Sequence, residues 1–427
     1  MSAPHDDGTA LPAERARAFD WIDESPAFDV MQALLAAQPD CARFVGGCVR
    51  DGLVGVEAKD IDIATSLTPD RVIAALKAKS LGAAPTGIEH GTITAIANHQ
   101  GVEVTTLRAD VSTDGRRASV AFTTDWCKDA ARRDFTINAL YLTPERRLYD
   151  PVGGLADLDD RRVRFIGDPA HRIHEDYLRI LRFFRFSARF ADAFDEAGLK
   201  ACAALKAGME ILSAERVGDE FSKLLSSPTP HAAISAMAAS GVLSEIWPAP
   251  AELECFGRLK ILAPDASPPL GLAALWGARG DGIDARLRLS NADAARRKSA
   301  VKLAAAIRPD LTPHQVRALV YRNGERAWAD ALALAEASFL SEAAAPNVRD
   351  PRFQALGEAA HAWTVPKSPF GGGDVLAAGV APGPSVAAIL TAAERRWIDE
   401  DFPPTERARE ILNEEIARAA KAFPGEM

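Results

Sequence analysis

The most informative stretch of this sequence reads Lys59-Asp60-Ile61-Asp62-Ile63-Ala64-Thr65. Residues two apart in a β-strand face the same side, so a strand here would present Asp60 and Asp62 together. Two carboxylates held that close repel each other unless a cation lies between them. Their oxygens suit Mg²⁺, which completes its coordination shell with water and substrate phosphates. The stretch therefore indicates a magnesium site, although an isolated acidic pair is more often a polar strand end.

Length and composition narrow the class of protein. A chain of 427 residues predicts two to four domains. It is 48% hydrophobic and 26% charged, and it contains no apolar run long enough to cross a bilayer. The first ten residues lack the features of a signal peptide. The five cysteines are scattered without a C-x-x-C pair, which predicts neither a zinc site nor disulfides and favours a reducing cytoplasm.

The charge is unevenly distributed. The net charge of −9 argues against general affinity for nucleic acid. Between Arg161 and Phe190, however, eight arginines face three acidic residues, Asp168, Glu175 and Asp176. An acidic protein with one basic belt can bind a polyanion there.

A candidate phosphate site precedes the acidic pair. Residues 41–45 favour a strand that runs into Gly46-Gly47, and a helix is predicted to begin at Cys48. Glycine lets the backbone approach a ligand closely, and helix N-termini attract anions. Arg50 would add a charged fork to the same phosphates. The alternative is a tight strand–helix turn, because the spacing matches neither the Walker nor the dinucleotide-binding pattern.

A hairpin is predicted after the acidic pair. Residues 91–96 and 102–107 alternate as strands, with a turn at 98–101 between them. Glu103 on the second strand is either a third acid facing the metal or a surface residue. Residues 109–124 are rich in polar residues without a clear period, which predicts a mobile loop. Further on, Arg132, Arg133 and Asp134 precede a predicted strand. They are either site residues at the rim of the sheet or solvated ion pairs.

Four motifs occur in order: Gly46-Gly47-x-x-Arg50-Asp51, Asp60-x-Asp62, Arg132-Arg133-Asp134-Phe135-Thr136-x-Asn138-Ala139 and Glu175-Asp176-x-x-Arg179. Together they resemble the motifs of the class II tRNA nucleotidyltransferase and bacterial poly(A) polymerase family, across residues 25–230. The resemblance implies an α+β fold with a polymerase-β-like mixed-sheet head and an all-α neck, body and tail. The predicted divisions are a polar lead-in (1–24), the catalytic head (25–165), the nucleotide-selecting neck (166–230) and the tRNA-binding body and tail (231–427).

The resemblance also implies roles for individual residues. Asp60 and Asp62 match the metal-binding pair, with Mg²⁺ as the expected ion, and Glu103 matches a third catalytic carboxylate. The residues that match the triphosphate, ribose and phosphate contacts are Gly46, Gly47, Arg50, Arg133 and Asp134.

A helix is predicted over Glu175–Phe190, with Asp176 and Arg179 one turn apart. Such a pair can present a donor and an acceptor to a base edge, and the resemblance implies pairing with CTP or ATP. Arg182 and Arg185 would support base and phosphate contacts; the alternative is an arginine-rich helix that holds the neck together. A metal site at His171 and His174 is disfavoured because the surrounding arginines would repel a cation.

The second half of the chain is less informative. Ser213 is a predicted N-cap of a helix that braces the neck. Residues 231–427 have helical periodicity, and residues 286–288 with 296–302 form a second basic cluster, either an RNA surface or a solvated helix face. The turn at 379–384 resembles the family's C-terminal segment, which implies a tail that contacts tRNA.

Three functions follow from the resemblance. The leading one is template-independent addition of C, C and A to the tRNA 3′ acceptor end from CTP and ATP, because residues 85–92 and 110–117 resemble the CCA type. The alternatives are a poly(A) polymerase and a non-catalytic RNA-binding relative. The expected partners are tRNA and the two nucleotides, without a membrane.

Overall fold

The computed structural model describes residues 8–58, 60–114, 117–339 and 349–422. The chain forms two compact units, residues 1–248 and 249–427. The finer division of the first unit at residues 24, 165 and 230 stays a prediction. None of the helices in these described ranges is long and apolar enough to cross a membrane.

The first unit contains a mixed sheet and a separate hairpin. The strands are β1 (Thr9–Ala10), β2 (Ala42–Val45), β3 (Asp62–Thr65), β4 (Gly82–Gly87), β5 (Thr92–Ala97), β6 (Gln100–Thr106), β7 (Arg108–Asp114), β8 (Arg117–Phe122), β9 (Tyr141–Leu142) and β10 (Arg147–Tyr149). The main sheet has the order β1-β10-β9-β2-β3-β6-β5-β4, and β7 pairs with β8. Because these strands all precede residue 150, the predicted α+β fold with a sheet head and a helical remainder is confirmed.

Helices surround the sheet and continue beyond it. In the first unit they are α1 (Ala13–Ala16), α2 (Trp21–Glu24), α3 (Pro26–Ala37), α4 (Gly47–Leu53), α5 (Pro69–Ala78), α6 (Trp126–Ala131), α7 (Gly154–Asp159), α8 (Pro169–Glu175), α9 (Leu178–Phe190), α10 (Glu196–Leu205), α11 (Ala214–Leu225), α12 (Pro230–Ser240) and α13 (Val242–Ile246). The helix predicted after Gly46-Gly47 is α4, which starts one residue earlier than expected.

The pairing of β2, β3 and β6 brings the predicted motifs to one end of the sheet. β2 and β3 are antiparallel with Phe44 opposite Ile63, so the glycines that follow β2 lie beside the start of β3. β3 and β6 are parallel with Asp62 opposite Glu103. Asp60 itself precedes β3 and is not part of the strand, which corrects the prediction that one strand holds both aspartates.

The hairpin prediction is confirmed, whereas the loop prediction is wrong. β5 and β6 pair in register around a turn in which Asn98 and His99 both have positive φ angles (49° and 64°). The stretch predicted as a mobile loop forms the antiparallel pair β7–β8, with Arg108 opposite Phe122. The alternation that indicates these strands is short, with Ala109 and Val111 in β7 and Ala118, Val120 and Phe122 in β8, and the surrounding polar residues and glycine obscure it. The predicted CCA-type stretch 110–117 includes residues 115 and 116, which lie outside the described residues.

Two other local predictions are corrected. The apparent strand after Asp134 starts with a 3₁₀ turn at Thr136–Asn138, because the Asp134 carboxylate accepts hydrogen bonds from the Phe135 backbone N–H (2.9 Å) and the Asn138 side chain (3.0 Å). The predicted helix Glu175–Phe190 is interrupted at Asp176, whose backbone is extended (φ −156°, ψ 106°). The Asp176 carboxylate accepts the Leu178 N–H at 3.1 Å, so it stabilises the start of α9 from outside the helix.

The described residues of the second unit form helices and the segments that connect them, without a strand. Its helices are α14 (Leu253–Leu262), α15 (Pro268–Trp276), α16 (Ile283–Arg286), α17 (Asn291–Ala304), α18 (Pro313–Asn323), α19 (Glu325–Ser338), α20 (Pro351–His361), α21 (Gly372–Ala377), α22 (Pro384–Asp399) and α23 (Thr405–Ala422). The predicted turn at 379–384 separates α21 from α22.

The second basic cluster is partly internal. Arg297 is buried and makes two hydrogen bonds with the Asp284 carboxylate (2.5 and 2.8 Å), while Arg296 binds Asp330 (2.6 and 2.8 Å). Buried, carboxylate-bound guanidinium groups are not available to RNA phosphates. Arg297 therefore does not belong to the predicted RNA surface, whereas Arg296 is half-buried and its contact with RNA stays a prediction.

Gly154 provides a test of the packing around the 3₁₀ turn. A Cβ atom at Gly154 would lie 2.2 Å from the backbone oxygen of Thr136, which must therefore move. We expect Gly154→Ala to lower the free energy of unfolding by about 3 kcal/mol, the upper end for overpacking. Chemical denaturation followed by circular dichroism measures this. The control is Gly373→Ala, where no atom lies within 4 Å, and an equal loss in both variants would contradict the argument.

Candidate active site

Three carboxylates line one depression at the end of the sheet where β3 begins. The side chains of Asp60, Asp62 and Glu103 all contribute to it, and its volume is about 600 Å³. Asp62 and Glu103 are neighbours on adjacent parallel strands, while Asp60 is exposed just before β3. The structure thus brings together the acids that the sequence separates by about forty residues.

Electrostatics within this depression favour a bound cation. Burial raises the pKa of Asp62 to about 6, and the charges of Glu103 and Asp60 act in the same direction, while Arg133 opposes them. A divalent cation between carboxylates would relieve this repulsion. In the described part of the chain, no three or more His, Cys, Asp or Glu residues form a complete metal-binding group. Phosphate and water oxygens would therefore have to supply further ligands, as Mg²⁺ prefers.

The glycine turn lies against Arg133. Gly46 has φ 72° and ψ −121°, a conformation that side-chain-bearing residues rarely adopt, and it directly precedes α4. A Cβ atom there would be 3.5 Å from Nη1 of Arg133, and one on Gly47 would be 3.9 Å from Nη2 of Arg50. Backbone and guanidinium groups therefore converge at the end of β2.

Arg50 is mainly engaged with protein partners. It is only 6% exposed, donates to the Asp51 carboxylate (2.7 and 2.8 Å) and to Asn138 Oδ1 (2.5 Å), and lies over the ring of Phe190 at 4.3 Å. These contacts connect α4 to α9. A phosphate contact by Arg50 stays a prediction, and it would require the guanidinium to change partners.

Arg133 is held in place by Asp129, which the sequence analysis did not single out. The Asp129 carboxylate is 1% exposed and accepts hydrogen bonds from Arg133 (3.3 Å), Arg132 (2.8 Å) and the Tyr141 hydroxyl (2.8 Å). These guanidinium groups keep the pKa of Asp129 below its ordinary value despite burial. Its spacing, three and four residues before the two arginines, is a helical pairing pattern that was visible in the sequence.

Asp134 faces the neck. It is 7% exposed and forms an ion pair with Arg182 at 2.6 Å, which keeps its pKa low although burial acts to raise it. Arg182 also approaches Glu220 at 3.5 Å, and Arg185 donates to Glu220 at 2.6 Å. Arg182 thus connects Asp134 to α11, and Arg185 connects α9 to α11, while the contacts of both arginines with a nucleotide stay predictions.

The Asp176 and Arg179 pair lies beside this network. Asp176 accepts a hydrogen bond from Arg216 of α11 at 2.7 Å, and its side chain is 32% exposed. Arg179 donates to Glu175 and, at 2.8 Å, to the backbone oxygen of Arg172. The predicted N-cap is confirmed, since Ser213 accepts the Arg216 N–H at 3.4 Å. Two residues of α11 therefore bind these charged side chains: Arg216 binds Asp176, and Glu220 binds Arg182 and Arg185.

The chain is similar to known proteins in both sequence and fold. Residues 42–164 match the family described as "Poly A polymerase head domain", and residues 193–253 match "Probable RNA and SrmB- binding site of polymerase A". The chain is 35% identical to the mitochondrial CCA tRNA nucleotidyltransferase 1 of Mus musculus, over 85% of this chain and 84% of the mouse protein. It is 33% identical to the CCA-adding enzyme of Limosilactobacillus fermentum, over 84% and 88% of the two chains.

Solved structures show the same fold. The CCA-adding enzyme of Bacillus stearothermophilus in complex with CTP aligns with a TM-score of 0.68 at 24% identity, over 93% of this chain and 98% of that one. The Thermotoga maritima CCA-adding enzyme complexed with tRNA aligns with a TM-score of 0.64 at 21% identity, over 92% and 94%.

The raised pKa of Asp62 predicts a pH-dependent stability. The pKa of Asp62 is about 6 in the folded protein, above its ordinary value of 3.8. The folded state therefore becomes less stable as the pH rises through this range, because the carboxyl group ionises where its charge is unfavourable. In EDTA at pH 8, Asp62→Asn should therefore have a higher melting temperature than the wild type, and the difference should shrink as pH falls toward 4.

Two comparisons make this test specific. The exposed Asp60, changed to Asn, should give a smaller gain, and added Mg²⁺ should stabilise the wild type more than Asp62→Asn. Equal melting temperatures for wild type and Asp62→Asn at pH 8 would mean that neither burial nor the neighbouring carboxylates destabilise the ionised Asp62.

Proposed function

This chain belongs to the CCA tRNA nucleotidyltransferase family, and we infer that it adds C, C and A to tRNA 3′ ends from CTP and ATP with release of pyrophosphate. The observation that carries this inference is the identity of 35% over 85% of the chain, and the separate head-domain match over residues 42–164 includes Asp60, Asp62 and Glu103. The attacking group would be the 3′ hydroxyl of the tRNA, and the electrophile the α-phosphate of the nucleotide.

Nucleotidyltransferases of this family generally use divalent metal ions, and we propose Mg²⁺ at Asp60 and Asp62. When bound, the metal would activate the attacking hydroxyl and neutralise charge on the phosphates. Asp60 and Asp62 would orient that ion, and Glu103, opposite Asp62 on β6, would complete the negative field. The carboxyl oxygens of this acidic group match the donor type that Mg²⁺ prefers.

The remaining predicted residues would bind the nucleotide. Gly46, Gly47 and Arg133 would receive the triphosphate, since the glycine turn and the guanidinium converge there. Arg50 and Asp134 would support this seat, with Arg182 and Arg185 keeping it next to the base site. Their present ion pairs favour positioning as their main contribution.

Base selection would depend on the hydrogen-bonding character of Asp176 and Arg179. A carboxylate only accepts and a guanidinium only donates. Cytosine and adenine both offer an amino donor next to a ring-nitrogen acceptor, whereas uracil and guanine reverse this pattern. One protein pair can therefore accept C and A and reject U and G, provided that Arg216 releases Asp176 when the base binds.

A poly(A) polymerase is the second candidate, because residues 42–164 match a family named for that activity. The chemistry at the acids would be the same, with ATP added repeatedly. For either reaction we propose a cytoplasmic location, which the five free cysteines favour.

Extension of tRNA that lacks its 3′ end separates these functions. With Mg²⁺, we expect CTP alone to add two residues and CTP with ATP to add three, as read by sequencing the products. Growth beyond three residues with ATP alone would instead indicate a poly(A) polymerase. Asp60→Ala should bind tRNA as the wild type does but add nothing; turnover by this variant would refute the metal assignment.

The base-selection proposal predicts a change in nucleotide choice. Asp176→Asn gives the side chain a donor, so we expect the preference for CTP over UTP in kcat/KM to fall by about tenfold, within the 1–3 kcal/mol of a well-placed pair. Asp219→Asn on α11 is the control, because Asp219 is exposed and pairs with Lys223. If Asp176→Asn discriminated as well as the control, base recognition would lie elsewhere.

A further inference from the structure

Arg172 lies between the two halves of the candidate nucleotide site. It belongs to α8, is 6% exposed, and belongs to none of the roles assigned above. Its Nη2 donates to the backbone oxygens of both Arg132 and Arg133, the latter at 2.7 Å. The segment that carries the phosphate-side arginines is therefore bound through its backbone by a buried guanidinium.

The same residue also determines where Arg179 lies. Nη1 of Arg172 donates to Glu175 at 2.7 Å, and the other oxygen of that carboxylate accepts from Arg179. The backbone oxygen of Arg172 accepts from Arg179 at 2.8 Å, and Arg179 reaches the Arg132 oxygen at 3.2 Å. Arg172 therefore connects to Arg179 directly, through its backbone oxygen, and indirectly, through Glu175. It also binds the backbone of Arg132 and Arg133 on the phosphate side.

We propose that Arg172 is a positioning residue that sets the distance between the base-selecting pair and the triphosphate seat. The proposal rests on the function inferred above, because it assumes that Arg179 reads the base and Arg133 binds phosphate. A nucleotide spans both places, so selectivity requires that its base edge meet Asp176 and Arg179 while its phosphates are held. Arg172 links the two ends through hydrogen bonds, and its side chain is almost fully buried.

The chemistry of the side chain explains why arginine is needed. A guanidinium holds several donors in one rigid plane, so it can bind two carbonyls and a carboxylate at fixed angles. A lysine ammonium is a single flexible point charge and cannot keep this geometry. The phosphate seat has separate support, since Asp129 holds the Arg133 side chain. Loss of Arg172 should therefore disturb the distance between the base-selecting pair and the triphosphate seat more than it weakens phosphate binding.

Binding measurements on the full chain test this with Arg172→Lys. We expect the ratio of the dissociation constants for UTP and CTP, measured by calorimetry, to fall by about tenfold, the scale of one well-placed recognition pair. The affinity for inorganic tripolyphosphate, which occupies only the phosphate seat, should change less than twofold. Glu175→Gln should lower the same ratio, and the double variant should be no worse than the stronger single one, because both act through one bridge.

Arg297→Lys is the matched control, since it makes the same substitution at a buried arginine–aspartate pair in the second unit. It should lower the melting temperature and leave the UTP to CTP ratio unchanged. The proposal is wrong if Arg172→Lys also keeps that ratio, or if it weakens tripolyphosphate as much as CTP. If Arg172→Lys does not fold, Glu175→Gln decides by the same criteria. Failure of the wild type to prefer CTP over UTP would instead refute the base-selection proposal, a result independent of the variants.

Discussion

The site depends on one strand register, the parallel pairing that sets Asp62 of β3 beside Glu103 of β6. Parallel neighbours need a long connection, which here consists of α5 and the strands β4 and β5. That connection returns the chain so that two like charges share a face, and their repulsion together with burial raises the pKa of Asp62. The antiparallel partner β2 ends at the same place, so the glycine turn adjoins the acids. Metal and phosphate chemistry are thus adjacent because of sheet topology.

The eight arginines between Arg161 and Phe190 bind carboxylates of the protein, although their number suggests a free surface for a polyanion. Each of the eight arginines between Arg161 and Phe190 has a carboxylate partner within 3.1 Å, among them Asp134, Glu175 and Glu220. The basic belt is therefore not a bare cationic surface. Its charges mostly connect α8 and α9 to the head and to α11, and nucleotide binding must compete with or reuse these pairs. The pairs made by the buried carboxylates Asp134 and Glu220 favour one geometry over many, which suits a site that has to hold its substrate in a fixed position.

Local sequence was a good guide where local forces act. The hairpin around Asn98 and the N-cap at Ser213 were predictable because turn and cap preferences involve only near neighbours. The hairpin β7–β8 was missed because its apolar alternation is short, Ala109 and Val111 in β7 and Ala118, Val120 and Phe122 in β8, and the many Asp, Ser, Thr and Gly residues outweighed it. The interruption at Asp176 was missed because helical periodicity continues across it, while the carboxylate in fact accepts the Leu178 N–H. Asp129 and Arg172 were missed because a charged residue is buried only where the fold supplies its partners, and the sequence does not show which partners these are.

The residue types and their order, with the family resemblance that they carry, were enough to predict the chemistry: paired acids for a metal, glycines for phosphate, and an aspartate–arginine pair for a base. These follow from side-chain charge, size and hydrogen-bonding capacity, which any single sequence displays. The sequence could not reveal which carboxylate each arginine binds, that Arg50 is buried against Phe190, or that Arg172 links the two ends of the site. Those facts belong to the folded chain, because they join distant residues such as Arg189 and Asp51, 138 positions apart, and no local preference specifies such pairs.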